Sequence, residues 1–96
     1  VSRKIHELKT WPEVYPYVAI GSKKVEIRLN DRDFAVDDVL VLREFDPVTG
    51  KYSGAQCDRR VTHVLEGGQF GLEEGYVALS VEPLPMQFTD EVRGAA

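Results

Sequence analysis

The run Lys23-Lys24-Val25-Glu26-Ile27-Arg28, directly after Gly21-Ser22, is the part of the chain whose residue types and spacing best suit chemistry. On a strand, Lys24, Glu26 and Arg28 project from one face with charge order plus, minus, plus. Spacing alone is met equally well by a solvated strand face whose ion pairs each contribute little. Lys23 is placed differently, because it stands where a helix gives way to a strand and need not follow the alternation. It can lean over the face that Glu26 and Arg28 occupy. A guanidinium there suits a phosphate or carboxylate as a planar fork. A lysine acts as base or nucleophile only if burial or a neighbouring cation lowers its pKa. Lys23 and Glu26 are therefore the candidate catalytic pair. Lys23, Glu26 and Arg28 are the centre of a candidate ligand set, with Glu26 orienting Lys23 or accepting from a base amino group.

Three further residues join that ligand set as candidates. His6 and Lys9 lie on the opening segment and reach the rim if that segment runs beside Gly21 to Arg28. His6 would be the one group there that titrates near neutral pH without special tuning; its plainer role is a structural pair with a neighbour. Arg32, close in sequence, extends the positive patch, while Asp31 and Asp33 read as turn formers. Trp11, Tyr15, Tyr17 and Phe34 read as packing residues, one of which can instead offer a flat face to a base. Arg59 and Arg60 are adjacent on one strand and point to opposite faces. Cys57 is the single cysteine, which rules out an internal disulfide, and Asp58 beside it disfavours a thiolate. With His6 and His63 it makes three Cys/His ligands, short of the four a structural zinc usually takes. No metal and no cofactor are expected.

The elements that must position these residues follow from periodicity. Ile5 to Lys9 fits a strand poorly, since its two apolar residues are three apart. Thr10-Trp11-Pro12-Glu13 has the spacing of a capping box, predicting a helix to about Ile20 with Gly21 as its stop. Pro16 breaks that helix into one turn and a second short piece. Tyr15, Val18 and Ile20 are its expected buried side. Val25, Ile27 and Leu29 alternate with Lys24, Glu26 and Arg28 as a half-buried strand. Val39 to Phe45 is a second strand and Ala55 to Leu65 a third, joined as a hairpin with an extended tip. A glycine-rich loop spans Glu66 to Gly75, and Tyr76 to Val81 is the last core strand. The domain is expected over residues 1–85, with residues 86–96 a tail.

Composition bounds the function. The 96 residues suit one domain, and 43% hydrophobic with 29% charged is ordinary for a globular protein. No apolar run approaches the roughly 20 residues of a membrane span, and the opening lacks the apolar stretch of a signal peptide, so a cytoplasmic location away from membranes is expected. The net charge of −4 argues against avid, sequence-blind binding to duplex DNA. The charge is uneven, however. Residues 1–32 carry seven Lys/Arg against four acids, while residues 66–96 carry six acids against Arg93. A single basic groove for a nucleotide or a short strand is compatible with that distribution.

Gly21-x-Lys23-x-x-Glu26-x-Arg28, after a short helix and an opening segment, resembles the signature of the ASCH domain, a branch of the PUA-like superfamily. The opening His6-Glu7-Leu8-Lys9-x-x-Pro12 and the later Asn30-Asp31-Arg32-Asp33-Phe34-x-Val36-x-Asp38 resemble a bacterial and phage subfamily of that group. The resemblance covers roughly residues 5–82. It implies a mainly β, α+β fold with a short N-terminal helix, a small PUA-like β-barrel of five to six strands, with Ile5 to Lys9 as the first strand. It also implies a cleft beside the signature that binds RNA, single-stranded nucleic acid or a nucleotide-like small molecule. One enzymatic branch removes an acetyl group from acetylated cytidine through Lys, Thr and Glu. Lys23 matches its lysine, but Glu26 stands where that branch has threonine, and only Glu73 or Glu74 offer themselves for its glutamate. Asp37 stands where the family often has glycine. Binding of RNA or a nucleotide is thus the leading expectation. A hydrolase acting on RNA or an acylated nucleoside is the second, and a phage-type module that binds a host protein is the third.

Overall fold

The computed structural model describes residues 3–84; the expected tail, residues 86–96, lies outside them. Five strands and one short helix follow in the order β1 (Ile5–Thr10), α1 (Tyr15–Ala19), β2 (Val25–Leu29), β3 (Val39–Asp46), β4 (Lys51–Glu66) and β5 (Tyr76–Pro83). They form one sheet in the order β1-β3-β4-β5-β2. β1 pairs parallel with β3, and the other neighbours pair antiparallel. The sheet curls into a half-barrel, the small PUA-like barrel architecture. Register shifts between Arg43 and Phe45 and between Val61 and His63 mark irregularities that accompany the curl.

The core lies inside the curl, where Leu8, Val18, Phe34, Leu40, Leu42, Val61, Val77, Leu79 and Val81 pack together. β1 is a full strand although its apolar residues are only Ile5 and Leu8. Its inward positions are His6, Leu8 and Thr10, all buried, so the alternation is real but two of three inward residues are polar. His6 satisfies itself through Asp38, at 2.9 Å from Nε2 to Oδ2, and packs on Phe34 with ring centroids 4.7 Å apart. Asp38 also accepts from the amides of Lys4 and Ala35, so one buried carboxylate ties the start of β1 to the turn before β3.

Thr10 does not cap a helix. It is the last residue of β1, in register with Glu44, and α1 begins at Tyr15 with no side-chain cap. Residues 12–14 form a turn instead, and Pro16 sits in the first turn of α1, where a missing N–H costs nothing. Tyr15 and Val18 face the core as expected, but Ile20 is 77% exposed, because the helix stops at Ala19. Gly21, at φ 84°, turns the chain into β2. The β3–β4 hairpin is tighter than the expected extended tip, with β4 already paired from Lys51.

β2 keeps the predicted alternation but buries the charged side. Glu26 is 4% exposed and Arg28 half-buried, while Val25, Ile27 and Leu29 face outward, Ile27 at 60% exposure. The reason is position: β2 is an edge strand, and its inner face borders the unclosed side of the barrel rather than the apolar core.

Candidate functional site

The two edges of the sheet, β1 and β2, meet where the barrel would close, but no backbone ladder joins them among the described residues. Arginine side chains span the seam instead. Arg28 Nη2 donates to the Lys9 carbonyl at 3.1 Å, and Arg32 Nη1 donates to the Glu7 carbonyl at 2.8 Å. The gap left between the strands is a cleft of about 920 Å³.

Lys23, Glu26 and Arg28 converge in this cleft. Glu26 Oε1 accepts from Arg28 Nε at 3.2 Å and from Nη2 at 2.9 Å, and Oε2 accepts from Lys23 Nζ at 2.8 Å. The Lys23 ammonium also donates to the Val25 carbonyl. The turn at Gly21 makes this possible: the Lys23 amide donates to the Tyr17 carbonyl at 3.0 Å, anchoring the residue before the strand alternation begins. Glu26 is buried, and its partners are one-quarter and one-third exposed, so the carboxylate orients two cations whose other edges face the cleft. Arg28 Nη1 has no hydrogen-bond partner among the described residues, and the Lys23 ammonium has a third N–H beyond the two it uses.

The electrostatics of the cleft oppose those of the chain. Five basic residues line it, Lys9, Lys23, Lys24, Arg28 and Arg32, against the acids Glu7 and Glu26, in a protein of net charge −4. A donor-rich, cationic concavity of this kind attracts anionic oxygen.

Five of the six sequence-derived ligand candidates therefore line one cleft. His6 does not: it is buried at the other end of β1 against Asp38 and Phe34. Lys9 lies over the Phe45 ring, its Nζ 4.5 Å from the centroid. Arg59 and Arg60 point to opposite faces as expected. Arg59 is buried and donates to the Val18 carbonyl at 2.6 Å, closing the end of α1, while Arg60 pairs on the surface with Asp37 and Glu82. Asp37 has φ 77°, the conformation that makes glycine the natural residue at this turn. Burial pushes the Cys57 thiol pKa up, against the pull of the nearby Arg59 guanidinium.

Sequence reasoning missed three residues at this site. Thr10 lines the cleft and was read as a helix cap. Phe45 and Tyr52 extend an aromatic row from Trp11, with centroids 6.1 Å and 4.9 Å apart in turn, and Arg43 lies 3.8 Å from the Tyr52 ring centroid. The signal for the second pair was their symmetrical placement about the turn at residues 47–50, closed by Asp46 and Lys51, which puts them opposite each other in the hairpin.

The chain belongs to the family described as a domain of unknown function, DUF3850, which matches residues 5–81. An uncharacterised 12.9 kDa protein from the GpA 3′ region of Escherichia phage P2 is 35% identical over 63 residues, 66% of this chain. The matched region is 56% of that phage protein's length. The crystal structure of a point mutant of the ZmASCH protein from Zymomonas mobilis superposes with a TM-score of 0.59 over 96% of this chain and 83% of that one, at 17% identity. That likeness establishes the fold expected from the ASCH resemblance.

Proposed function

We propose that this DUF3850 domain binds RNA or a nucleotide-like ligand, with phosphate oxygen seated on Lys23 and Arg28 in the β1–β2 seam. One observation carries the reading. Glu26 holds the two cations side by side while leaving N–H groups of each directed to a cleft lined by five bases and two acids. Guanidinium and ammonium together match a phosphate better than either alone. The ASCH-like signature from Gly21 to Arg28 implies the same class of ligand.

The geometry favours binding over hydrolysis. Lys23 Nζ is committed to two acceptors, the Val25 carbonyl and Glu26, and both Glu26 oxygens are engaged by Lys23 and Arg28. Neither is a spare base for a water. Binding of short single-stranded RNA, titrated with salt, tests the proposal. Affinity at low salt that is lost in the Lys23→Ala, Arg28→Ala double variant is the expected result. No detectable binding, or no change in the variant, overturns it. Turnover of RNA or acetylated cytidine above a Lys23→Ala control would make the protein a hydrolase instead.

A second reading, a phage-type module that binds a host protein, draws on the outward Val25, Ile27 and Leu29 and on the phage relative. It requires a stoichiometric host protein, captured without nucleic acid by the wild type and lost on Ile27→Asp.

A further inference from the structure

Thr10 is 4% exposed, and its Oγ1 has no hydrogen-bond partner among the described residues, the one buried side-chain polar atom so placed. Buried hydroxyls are normally paired, because stripping water from one without replacing it is unfavourable. Each other inward residue of β1 is accounted for: His6 has Asp38, and Leu8 is core. At Thr10 a valine would fill the same space and suit a strand at least as well. The hydroxyl thus does nothing for the fold, and it sits on a residue of the cleft wall.

The seam register shows what lies near it. Arg28 meets Lys9 and Arg32 meets Glu7, so moving down β2 in sequence means moving up β1. Thr10 and Trp11 are therefore level with the part of β2 that carries Glu26. Trp11 also lines the cleft and is 46% exposed. Its ring is backed by Phe45, which Tyr52 in turn supports edge-on. A propped, half-exposed indole is a flat platform, and an aromatic face holds any unstacked base.

We infer that Thr10 and Trp11 form a nucleobase subsite beside the phosphate-binding pair, so that the cleft takes one unstacked nucleotide of a single-stranded RNA. The inference rests on the proposed function and adds to it the part of the ligand that is not phosphate. A bare anion needs only Lys23 and Arg28. A nucleotide also needs a surface for its ring and a partner for its polar edge, and Trp11 and Thr10 supply these. The base must be unpaired, since a base inside a duplex offers no free face. Lys9 over Phe45 and Arg43 over Tyr52 interleave cations with the aromatic row, which suits the alternation of base and phosphate along the neighbouring nucleotides.

The test compares a pentameric single-stranded RNA with an abasic pentamer of the same charge, against the wild type, Thr10→Val, Trp11→Ala and the Lys23→Ala, Arg28→Ala double variant. Thr10→Val should fold with an unchanged or raised melting temperature, since it removes an unpaired buried hydroxyl. Its RNA affinity should fall roughly three- to tenfold, the loss of one neutral hydrogen bond. Trp11→Ala should lose roughly tenfold or more. Both should bind the abasic strand as the wild type does. RNA affinity unchanged in Thr10→Val or in Trp11→Ala overturns the subsite, as does wild-type protein that holds the abasic strand as tightly as RNA. If only the double variant loses affinity, the phosphate reading survives without the subsite. If the wild type binds neither strand, both fall.

Discussion

Arg28 on β2 donates to the backbone carbonyl of Lys9 on β1 at 3.1 Å, across a seam that no strand ladder closes among the described residues. The same Nη2 donates to Glu26 at 2.9 Å. One guanidinium thus holds the barrel edges together and forms part of the cleft between them. Fold and site are coupled there, and the predictions below separate the two.

Replacing Glu26 by Gln leaves Lys23 and Arg28 adjacent without the charge that holds them together. A fully buried pair broken from one side costs about 3–5 kcal/mol. Here both partners reach solvent, so a loss of about 1–3 kcal/mol is expected. Urea denaturation measures it, and an unchanged midpoint would show that the triad contributes nothing to stability.

Asp38→Ala removes the acceptor for His6 and for the Lys4 and Ala35 amides at a site 1% exposed. A destabilisation of about 3 kcal/mol follows from three donors left unpaired. His6→Ala should destabilise by a smaller amount. RNA affinity of the folded His6→Ala protein should equal that of the wild type, measured below its melting temperature. A large affinity loss there would put His6 at the ligand.

Burial, with the Cys57 thiol next to it, pushes the Tyr15 hydroxyl up to about 12. In the unfolded chain it ionises near 10. Between those values the unfolded state has released the proton and the folded state has not. Stability is therefore full below pH 10, declines as pH rises from about 10 to 12, and levels off above, by a total of about 3 kcal/mol. Tyr15→Phe should flatten that decline, measured by denaturation at pH 8, 10 and 11.5. An identical decline in the variant would assign it to other groups.

A Cβ at Gly67 would lie 1.9 Å from the Glu73 carbonyl oxygen and 2.8 Å from that of Tyr76. Backbone, not a mobile side chain, is in the way. Gly67→Ala should cost about 2–4 kcal/mol by thermal denaturation, whereas Gly71→Ala, with open space around it, should cost only the strain of its positive φ, roughly 1 kcal/mol. Equal shifts would argue against the close approach.

The strands at Val39 and Tyr76 and the helix stop at Gly21 were legible from periodicity, and the candidacy of Lys23, Glu26 and Arg28 from motif, whereas their meeting around one carboxylate is a matter of side-chain geometry. Which face of β2 is buried was not. Period two is symmetrical between faces, and the rule that apolar residues go inward fails at an edge strand bordering a polar cleft. Thr10 misled for a related reason. Thr-x-x-Glu fits a capping box, but pairing with Glu44 keeps Thr10 in the sheet, and only tertiary structure decides between the two. The role of His6 turned on Asp38, 32 residues away, a contact that no local pattern carries.

The salt dependence of binding to a short single-stranded RNA tests the central claim most directly. For single strands, the slope of log affinity against log salt is about −0.7 for each phosphate neutralised. Replacing both Lys23 and Arg28 by Ala should therefore make the slope shallower by about 0.7, for the one phosphate the pair holds, while weakening binding at low salt. A wild-type protein that shows no salt-dependent binding, or a double variant with the wild-type slope, would contradict the account.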